Sequence, residues 1–132
     1  DRFQVNAYVP PVDLPTNSQD VVYAISVLTH IPIADQMAWI LELVRVARPQ
    51  GLILVSILET DDFDADTGVI AKERSDRGIQ RSWLGHQGAP QKYLNVFHSR
   101  KYIELHWSAA AKILSFRRHA VRGRQTIVVM QK

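Results

Sequence analysis

Three polar side chains follow an apolar run near the start of the sequence and carry its first candidate chemistry. The stretch VYAISVLTHIP, residues 22–32, places Ser26, Thr29 and His30 directly after a segment typical of a buried strand. A histidine at the mouth of a cleft can act as a general base near neutral pH, which makes His30 the candidate catalytic residue. The alternative is that His30 caps the strand or bonds to the backbone.

A second group of candidates lies in and beside the polar segment 59–95. Glu59 ends an apolar run, while Tyr93 and His98 could line a pocket for a small molecule. Two histidines, His86 and His98, could instead hold a metal together with an acid, but no tight ligand spacing supports this. Surface polar residues are the simpler interpretation of both histidines.

The acidic run ETDDFDADTG inside that segment has part of a calcium-ligand spacing. Positions one, three, five and twelve of a calcium-binding loop are occupied by Asp62, Asp64, Asp66 and Glu73. Thr67 stands where such a loop needs glycine for its sharp turn, and the preceding residues suggest a strand rather than a helix. A solvated loop is therefore favoured, and no metal site is predicted.

Composition excludes several classes of protein for this sequence. The 132 residues, 46% of them hydrophobic, are enough for a single domain over 1–132 with its own core. Absence of cysteine excludes disulfides and thiolate chemistry and fits a cytoplasmic location. No apolar run reaches the roughly 18 residues of a membrane span. After Glu104 every charged side chain is basic, but no aromatic interleaving of the RNA-binding type accompanies these residues, so nucleic acid is not a predicted partner.

The hydrophobic pattern predicts the elements that position these residues. Strands are expected at 3–9, 21–27 and 52–58, with a helix from an N-cap at Asp35 to Ala47. Because strand, helix and strand follow one another so closely, the two later strands should be parallel.

The second half of the chain is predicted to close the fold. The segment 59–95 is expected to be a long, lid-like loop. Ser99 should cap a helix to about Ala111 that buries Tyr102, Ile103, His106 and Trp107. Residues 113–118 and 125–130 should form an antiparallel hairpin.

The run from Asp20 to Ser56, DVVYAISVLTHIPIADQMAWILELVRVARPQGLILVS, resembles the central part of class I SAM-dependent methyltransferases. That family has a similar strand and polar turn, then a helix ending in "El.RvlrPGG", then an apolar strand. The C-terminal helix and hairpin are similar to its closing elements. The resemblance implies an α/β fold, a partial Rossmann-like methyltransferase fold with parallel strands, helices and a C-terminal antiparallel hairpin. The chain would be the C-terminal part of such a domain, from the family's third strand onward.

The resemblance also implies a function and a site. The implied cofactor is S-adenosylmethionine (SAM), and the reaction is methyl transfer to a small-molecule acceptor by positioning of the two. Residues implied beside the cofactor are Asn6, Ala24, Ile25, Ser26 and Val27. Residues implied or expected at the acceptor are Thr29, His30, Glu59, Tyr93 and His98. In open α/β sheets such ligands bind at the carboxyl ends of the strands.

The sequence also departs from the family pattern. No G-x-G loop of the kind that holds SAM occurs in it, and Gln50 replaces the first glycine of the Pro-Gly-Gly turn, although Gly51 keeps positive φ available. Without the family's first strand, the strand 21–27 would be an unpaired apolar edge. Such an edge predicts a homo-oligomer through it or pairing with an N-terminal segment. The alternative to an enzyme is therefore a truncated, non-catalytic module for binding or dimerisation.

Overall fold

The computed structural model describes residues 3–59, 79–83 and 93–132, with backbone alone for 79–83 and 93–94. The elements of these ranges are β1 (Gln19–Ala24), a first 3₁₀ helix (Leu28–His30), α1 (Ile33–Val46), β2 (Ala47–Glu59), β3 (Ile79–Trp83), β4 (Tyr93–His98), α2 (Arg100–His106), a second 3₁₀ helix (Trp107–Ala109), β5 (Lys112–Val121) and β6 (Gln125–Gln131). No helix among them is long and apolar enough to cross a membrane.

β1, α1 and β2 form the predicted unit of two parallel strands joined by a helix. Val21 lies opposite Leu52, and the register continues to Ala24 opposite Val55. The apolar stripe of α1 packs on this pair, with Ile40 fully buried and Met37 and Val44 against the same core. The apolar patterns of strand and helix therefore predicted the parallel pairing correctly.

The ends of α1 differ from the prediction. The helix begins at Ile33 with Pro32 in the N-cap position, whereas Asp35 lies in the first turn and caps nothing with its side chain. Proline suits this place because its fixed φ leads into a helix and its missing N–H costs nothing there. The carboxylate of Asp35 lies near the positive end of the helix dipole, which is favourable without a capping bond.

The backbone conformation of the turn after α1 also differs from the prediction. The backbone of Gln50, not that of Gly51, takes the left-handed conformation, with φ of 67°. Gly51 is needed for space, since a Cβ there would stand 2.8 Å from the carbonyl oxygen of Arg48. β2 consequently starts at Ala47, directly after the helix, rather than at residue 52.

The predicted strand at 3–9 is wrong. These residues have no regular secondary structure, and Phe3 exposes 98% of its surface. An alternating pattern makes a strand only where a neighbouring strand completes its hydrogen bonds. No strand in the described ranges pairs with residues 3–9.

The C-terminal hairpin has the predicted form and is longer than expected. β6 lies between β2 and β5 and is antiparallel to both, with Leu54 opposite Val129. Ser99 caps α2 as predicted, since its hydroxyl accepts the backbone N–H of Tyr102. α2 and the second 3₁₀ helix bury Tyr102, Ile103 and Trp107, but His106 is exposed, contrary to the prediction.

The predicted loop 59–95 contains two strands. β4 pairs in parallel with the last residues of β2, on the edge of β2 that β1 occupies nearer its start. β3 pairs with β4 in antiparallel fashion. The other residues of that segment, and with them the calcium-like spacing and His86, lie outside the described residues.

The sheet is covered on one face by α1, α2 and the second 3₁₀ helix. That face holds the core, including Ile53, Val55 and Met130, which are fully buried. Side chains of the other face remain open, with Val21 exposing 48% and Tyr23 71% of their surface. Within the described ranges β1 pairs with β2 alone, so the expected apolar edge is present.

Candidate active site at the carboxyl ends of the strands

The parallel strands β1, β2 and β4 end at the same side of the sheet. Ala24 closes β1 opposite Val55, while Glu59 and His98 lie opposite each other at the ends of β2 and β4. β6 begins at this side because it runs antiparallel to β2. Polar residues from β2, β4 and β6 and from the loop after β1 therefore converge here.

A hydrogen-bonded group, named here the Ser26 network (Ser26, Ser56 and Gln125), fixes the turn after β1. Ser26 takes a left-handed backbone conformation with φ of 57°, which costs a non-glycine residue of order 1 kcal/mol. Its N–H donates to Ser56 Oγ at 2.7 Å, and the Gln125 amide nitrogen donates to Ser26 Oγ at 2.9 Å. Ser56 Oγ in turn donates to the Gln125 carbonyl oxygen at 2.6 Å. These bonds offset the strain and tie β1, β2 and β6 together.

A second group, the His98 network (His98, Gln36 and the carbonyls of Leu28 and Ile31), lies on the helix-covered face. The Gln36 amide nitrogen donates to both carbonyl oxygens at 2.9 Å, which leaves its own oxygen to accept from His98 Nε2 at 2.7 Å. His98 Nε2 therefore carries the proton. Among the described residues, no hydrogen-bond partner meets the buried Nδ1 of the ring.

Burial sets the charge of His98. The ring is fully buried, packs against Tyr102 and meets Trp107 edge-on with 5.5 Å between centroids. Desolvation lowers the pKa of His98 from its usual 6.5 to about 4 and raises the pKa of the Tyr102 hydroxyl. His98 is thus a neutral, positioned ring at pH 7 and a weak base.

A third group, the Glu59 cluster (Glu59, Arg100 and Arg118), carries the charge of the site. Only 1% of Glu59 is exposed. Its Oε1 lies 3.4 Å from Arg100 Nη2 and its Oε2 lies 3.7 Å from Arg118 Nε. The side chains of Arg100 and Arg118 expose 42% and 46% of their surface, so both guanidinium groups reach solvent at the rim of the site.

The loop after β1 presents one buried and one exposed candidate. The first 3₁₀ helix packs against β4, burying Thr29 and exposing His30. The Thr29 hydroxyl has no hydrogen-bond partner within the described part of the chain, which is unfavourable unless a ligand or water meets it. The buried hydroxyl of Thr126 on β6 likewise has no partner in the described ranges. The roles assigned to Thr29 and His30 stay predictions.

The residues expected at the cofactor lie in two separate parts of the chain. Ala24 is buried, Ile25 and Ser26 are half-buried, and Val27 is exposed in the bend that follows β1. Asn6 is exposed on the irregular segment 3–9, where its amide donates to the carbonyl of Ala7. Tyr93 starts β4, and only its backbone is described. None of these placements tests the assigned contacts.

The bend after β1 is the part of the structure that the resemblance assigns to SAM. It offers the apolar side chain of Val27 and the backbone of Ile25, but the N–H of Ser26 is already bonded within the Ser26 network. That N–H is therefore not available to the cofactor. Among the described residues, no group of three or more potential metal ligands occurs.

A groove of about 1090 Å³ lies at the opposite end of the sheet. Its lining includes Gln50, Ser108, Lys112 and Lys132, from the start of β2, the second 3₁₀ helix, the start of β5 and the C-terminus. None of the residues predicted for the site lines it, and ligands of open α/β sheets bind at the other strand ends. We therefore place the candidate site at Ser26, Glu59 and His98.

Sequence reasoning missed the residues that hold the site together. Gln36, Ser56, Gln125 and Arg100 were not selected. Ser56 could have been found as the only polar residue within the strand LILVSIL, because a hydroxyl inside a buried strand needs a partner. Gln36 and Gln125 carry no comparable signal, since glutamine is common on surfaces.

Known proteins are similar to this chain in part of its sequence and in its fold. Residues 3–55 match the family model described as a methyltransferase domain. No curated protein sequence matches the chain at a significant level. The fold is similar to a SAM-dependent methyltransferase from Methanosarcina mazei, with TM-score 0.66 and 14% identity over 92% of this chain and 63% of that one.

Two further solved structures have similar folds. One is a SAM-dependent methyltransferase from Mesorhizobium loti, with TM-score 0.65 and 13% identity over 92% of this chain and 65% of that one. The other is the 1,6-didemethyltoxoflavin-N1-methyltransferase of Burkholderia thailandensis, which holds 1,6-didemethyltoxoflavin and S-adenosylhomocysteine. Its TM-score is 0.64 at 13% identity, over 89% of this chain and 45% of that one.

These comparisons confirm the resemblance to class I SAM-dependent methyltransferases. The fold is a partial Rossmann-like methyltransferase fold, a mixed α/β sheet with helices on one face. The chain spans less than two thirds of the length of each of the three structures.

Proposed function

We propose that this site takes part in methyl transfer from SAM to a small-molecule acceptor. The observation that carries the proposal is the turn after β1, where the Ser26 network holds a left-handed residue at the carboxyl end of a parallel strand. Strain retained at a strand end, where ligands of such sheets bind, is typical of functional positions. The methyltransferase family match over residues 3–55 supports the same assignment.

The chain's own residues would act by positioning. Bound SAM supplies an electrophilic methyl group, and methyl transfer needs chiefly alignment of the acceptor with it. Ala24, Ile25, Ser26 and Val27 are proposed as one wall of the cofactor site, with Asn6 near the adenine. Thr29, His30, Glu59, Tyr93 and His98 are proposed around the acceptor. His30 is the candidate base, because neutral, buried His98 is poorly suited to take a proton at pH 7.

The remaining contacts with SAM would come from a neighbouring segment or from a partner. The open sheet face beside Val21 and Tyr23 and the unpaired edge of β1 support this, since both leave apolar surface and backbone groups for another element. The proposal includes a cytoplasmic location, supported by the absence of cysteine.

Titration of the chain with SAM and S-adenosylhomocysteine tests the proposal. If Kd is near 10 μM, ligand at 1 mM should raise the free energy of unfolding by roughly 2.7 kcal/mol. Val27→Glu, at the wall of the site, should abolish this gain. Leu41→Glu, equally exposed but on the outer side of α1, is the matched control and should retain it. A chain that neither ligand stabilises would exclude SAM binding by these residues.

The second candidate function is a non-catalytic module that binds a partner or dimerises. The edge of β1 favours it, because Val21 and Tyr23 are exposed beside unpaired backbone groups. Two copies of β1 paired antiparallel about Val22 would place Val21 of each opposite Tyr23 of the other, a favourable cross-strand pair. Sedimentation of the chain and of Val22→Pro measures this: a wild-type dimer that becomes a monomer supports the module, and a wild-type monomer contradicts it.

A further inference from the structure

We propose that Gln125 is a positioning residue of the cofactor site, which holds the bend after β1 in its left-handed conformation through Ser56 and Ser26. This inference rests on the proposed function, because that proposal assigns the bend to the SAM site. It makes the C-terminal hairpin part of the site, although Gln125 and Ser26 are 99 residues apart in the chain.

The register of the sheet brings Gln125 to the bend. Ser56 on β2 lies opposite Ile127 on β6, and Gln125, two residues before Ile127, projects from the same face of the sheet. Diagonal neighbours of this kind are about 7–8 Å apart, within reach of a long side chain. Glutamine at the start of β6 is therefore long enough to contact both Ser56 and Ser26, which it does.

The turn between β5 and β6 fixes the backbone of Gln125. Val121 lies opposite Gln125 in the hairpin, and the N–H of Arg124 donates to the carbonyl oxygen of Val121 at 3.0 Å. Arg122 and Gly123 take left-handed conformations with φ of 49° and 67°, as tight hairpin turns require. The side chain of Gln125 therefore starts from a defined place at the end of the sheet.

Gln125 orients the hydroxyl of Ser56. That hydroxyl donates its only hydrogen to the Gln125 carbonyl oxygen, with 2.6 Å between the two oxygens. The lone pairs of Ser56 Oγ are thereby left to accept the N–H of Ser26 at 2.7 Å. Gln125 thus acts on the backbone of the bend through a second residue.

Gln125 also contacts the side chain of Ser26 directly. The nitrogen of its carboxamide lies 2.9 Å and the oxygen 3.1 Å from Ser26 Oγ. The left-handed backbone of Ser26, with φ of 57°, is unfavourable for a serine and persists only where the surrounding structure determines it. One residue of the hairpin therefore holds both the backbone and the side chain of the bend.

The experiment compares SAM affinity in the full chain and in Gln125→Met, which keeps the length of the side chain and removes its hydrogen bonds. A ligand that needs one conformation of a bend binds more weakly when that conformation is less populated. Calorimetric titration at a temperature at which each variant is folded should give a Kd about tenfold higher for Gln125→Met. A residue that only stabilised the fold would lower the free energy of unfolding and leave this Kd unchanged.

Two further variants and a measurement without ligand complete the experiment. Gln131→Met is the matched control at the other end of β6, where the amide makes an exposed bond to the carbonyl oxygen of Gln50, and its Kd should change no more than about twofold. Without ligand, the Ser26 N–H should exchange at least about fivefold faster in Gln125→Met than in the wild type. Gln125→Glu keeps an oxygen acceptor for both serine hydroxyls, so its exchange should stay close to that of the wild type.

The outcomes separate the positioning role from the proposed function. A higher Kd in Gln125→Met alone supports the role. An unchanged Kd there, or an equal rise in Gln131→Met, would overturn the role and leave the methyl-transfer proposal standing. A wild-type chain that does not bind SAM would remove the methyl-transfer proposal, and amide exchange would then decide: faster exchange of Ser26 in Gln125→Met supports the positioning role, and unchanged exchange overturns it.

Discussion

The His98 network and the Glu59 cluster occupy neighbouring strand ends, yet they handle polar groups in opposite ways. Glu59 and His98 lie opposite each other in the sheet and both are buried. Around His98 the partners within the described residues are neutral and buried, so the ring loses its charge. Around Glu59 the described partners are charged and reach solvent. A buried group enclosed by neutral partners becomes neutral, as the lowered pKa of His98 indicates.

The largest expected effect on stability comes from disrupting the His98 network. Gln36→Leu leaves the carbonyl of Ile31 and the N–H of His98 without their described partners, and it removes one of two donors to the carbonyl of Leu28. The free energy of unfolding should fall by about 4 kcal/mol. Each buried polar group left without a partner costs roughly 1–3 kcal/mol, and burial of the leucine side chain offsets only part of this cost. Urea denaturation measures it. Gln131→Leu, whose amide bond is exposed, is the control, and an equal loss there would refute the comparison.

Acid should destabilise the protein through His98. The unfolded chain takes up a proton near pH 6.5, whereas the folded chain resists it down to about pH 4 because the ring is buried. Stability is therefore retained above pH 6.5 and lost as pH falls toward 4, by about 3 kcal/mol in total. The free energy of unfolding, measured by denaturation across this pH range, should depend less on pH in His98→Gln than in the wild type. His106→Gln, a change at an exposed histidine, should leave the wild-type pH dependence. An unchanged pH dependence in His98→Gln would contradict the assignment.

A smaller loss of stability should follow from removing hydrogen bonds of the Ser26 network. Ser56→Ala removes the acceptor for the Ser26 N–H and a donor to Gln125. A loss of about 2 kcal/mol is expected, together with faster amide exchange at residues 26–30. The matched control is Ser115→Ala on β5, which has no described side-chain bond. Unchanged exchange after Ser56→Ala would mean that the turn is held by packing alone.

The smallest effect on stability should come from the exposed half of the Glu59 cluster. Arg118→Gln is expected to change the free energy of unfolding by only about 0.5 kcal/mol, because solvent screens a long ion pair. The same denaturation series measures it, with and without added salt. A loss above about 2 kcal/mol would show that Arg118 has a structural role and would contradict this expectation.

Much of the fold was predictable because local pattern and long-range partner agreed. The apolar strands around residues 22 and 54, the helix between them and the C-terminal hairpin each carry a periodicity that only one arrangement satisfies. The prediction failed at 3–9, where an alternating pattern has no strand to pair with among the described residues. It also failed at Asp35, because Pro32 takes the N-cap position and the helix begins at Ile33.

By itself the sequence determined the parallel βαβ unit, the cap at Ser99 and the strand ends where Ser26 and Glu59 stand. Tertiary structure alone decided that His98 ends a neighbouring strand, which side chains meet there and that the His98 ring is neutral. Gln36 and His98 are 62 residues apart and Ser26 and Gln125 are 99 apart, so no local pattern links them. Their bonds exist because sheet register and helix packing bring distant groups into one buried volume, where unpaired polar atoms are too costly.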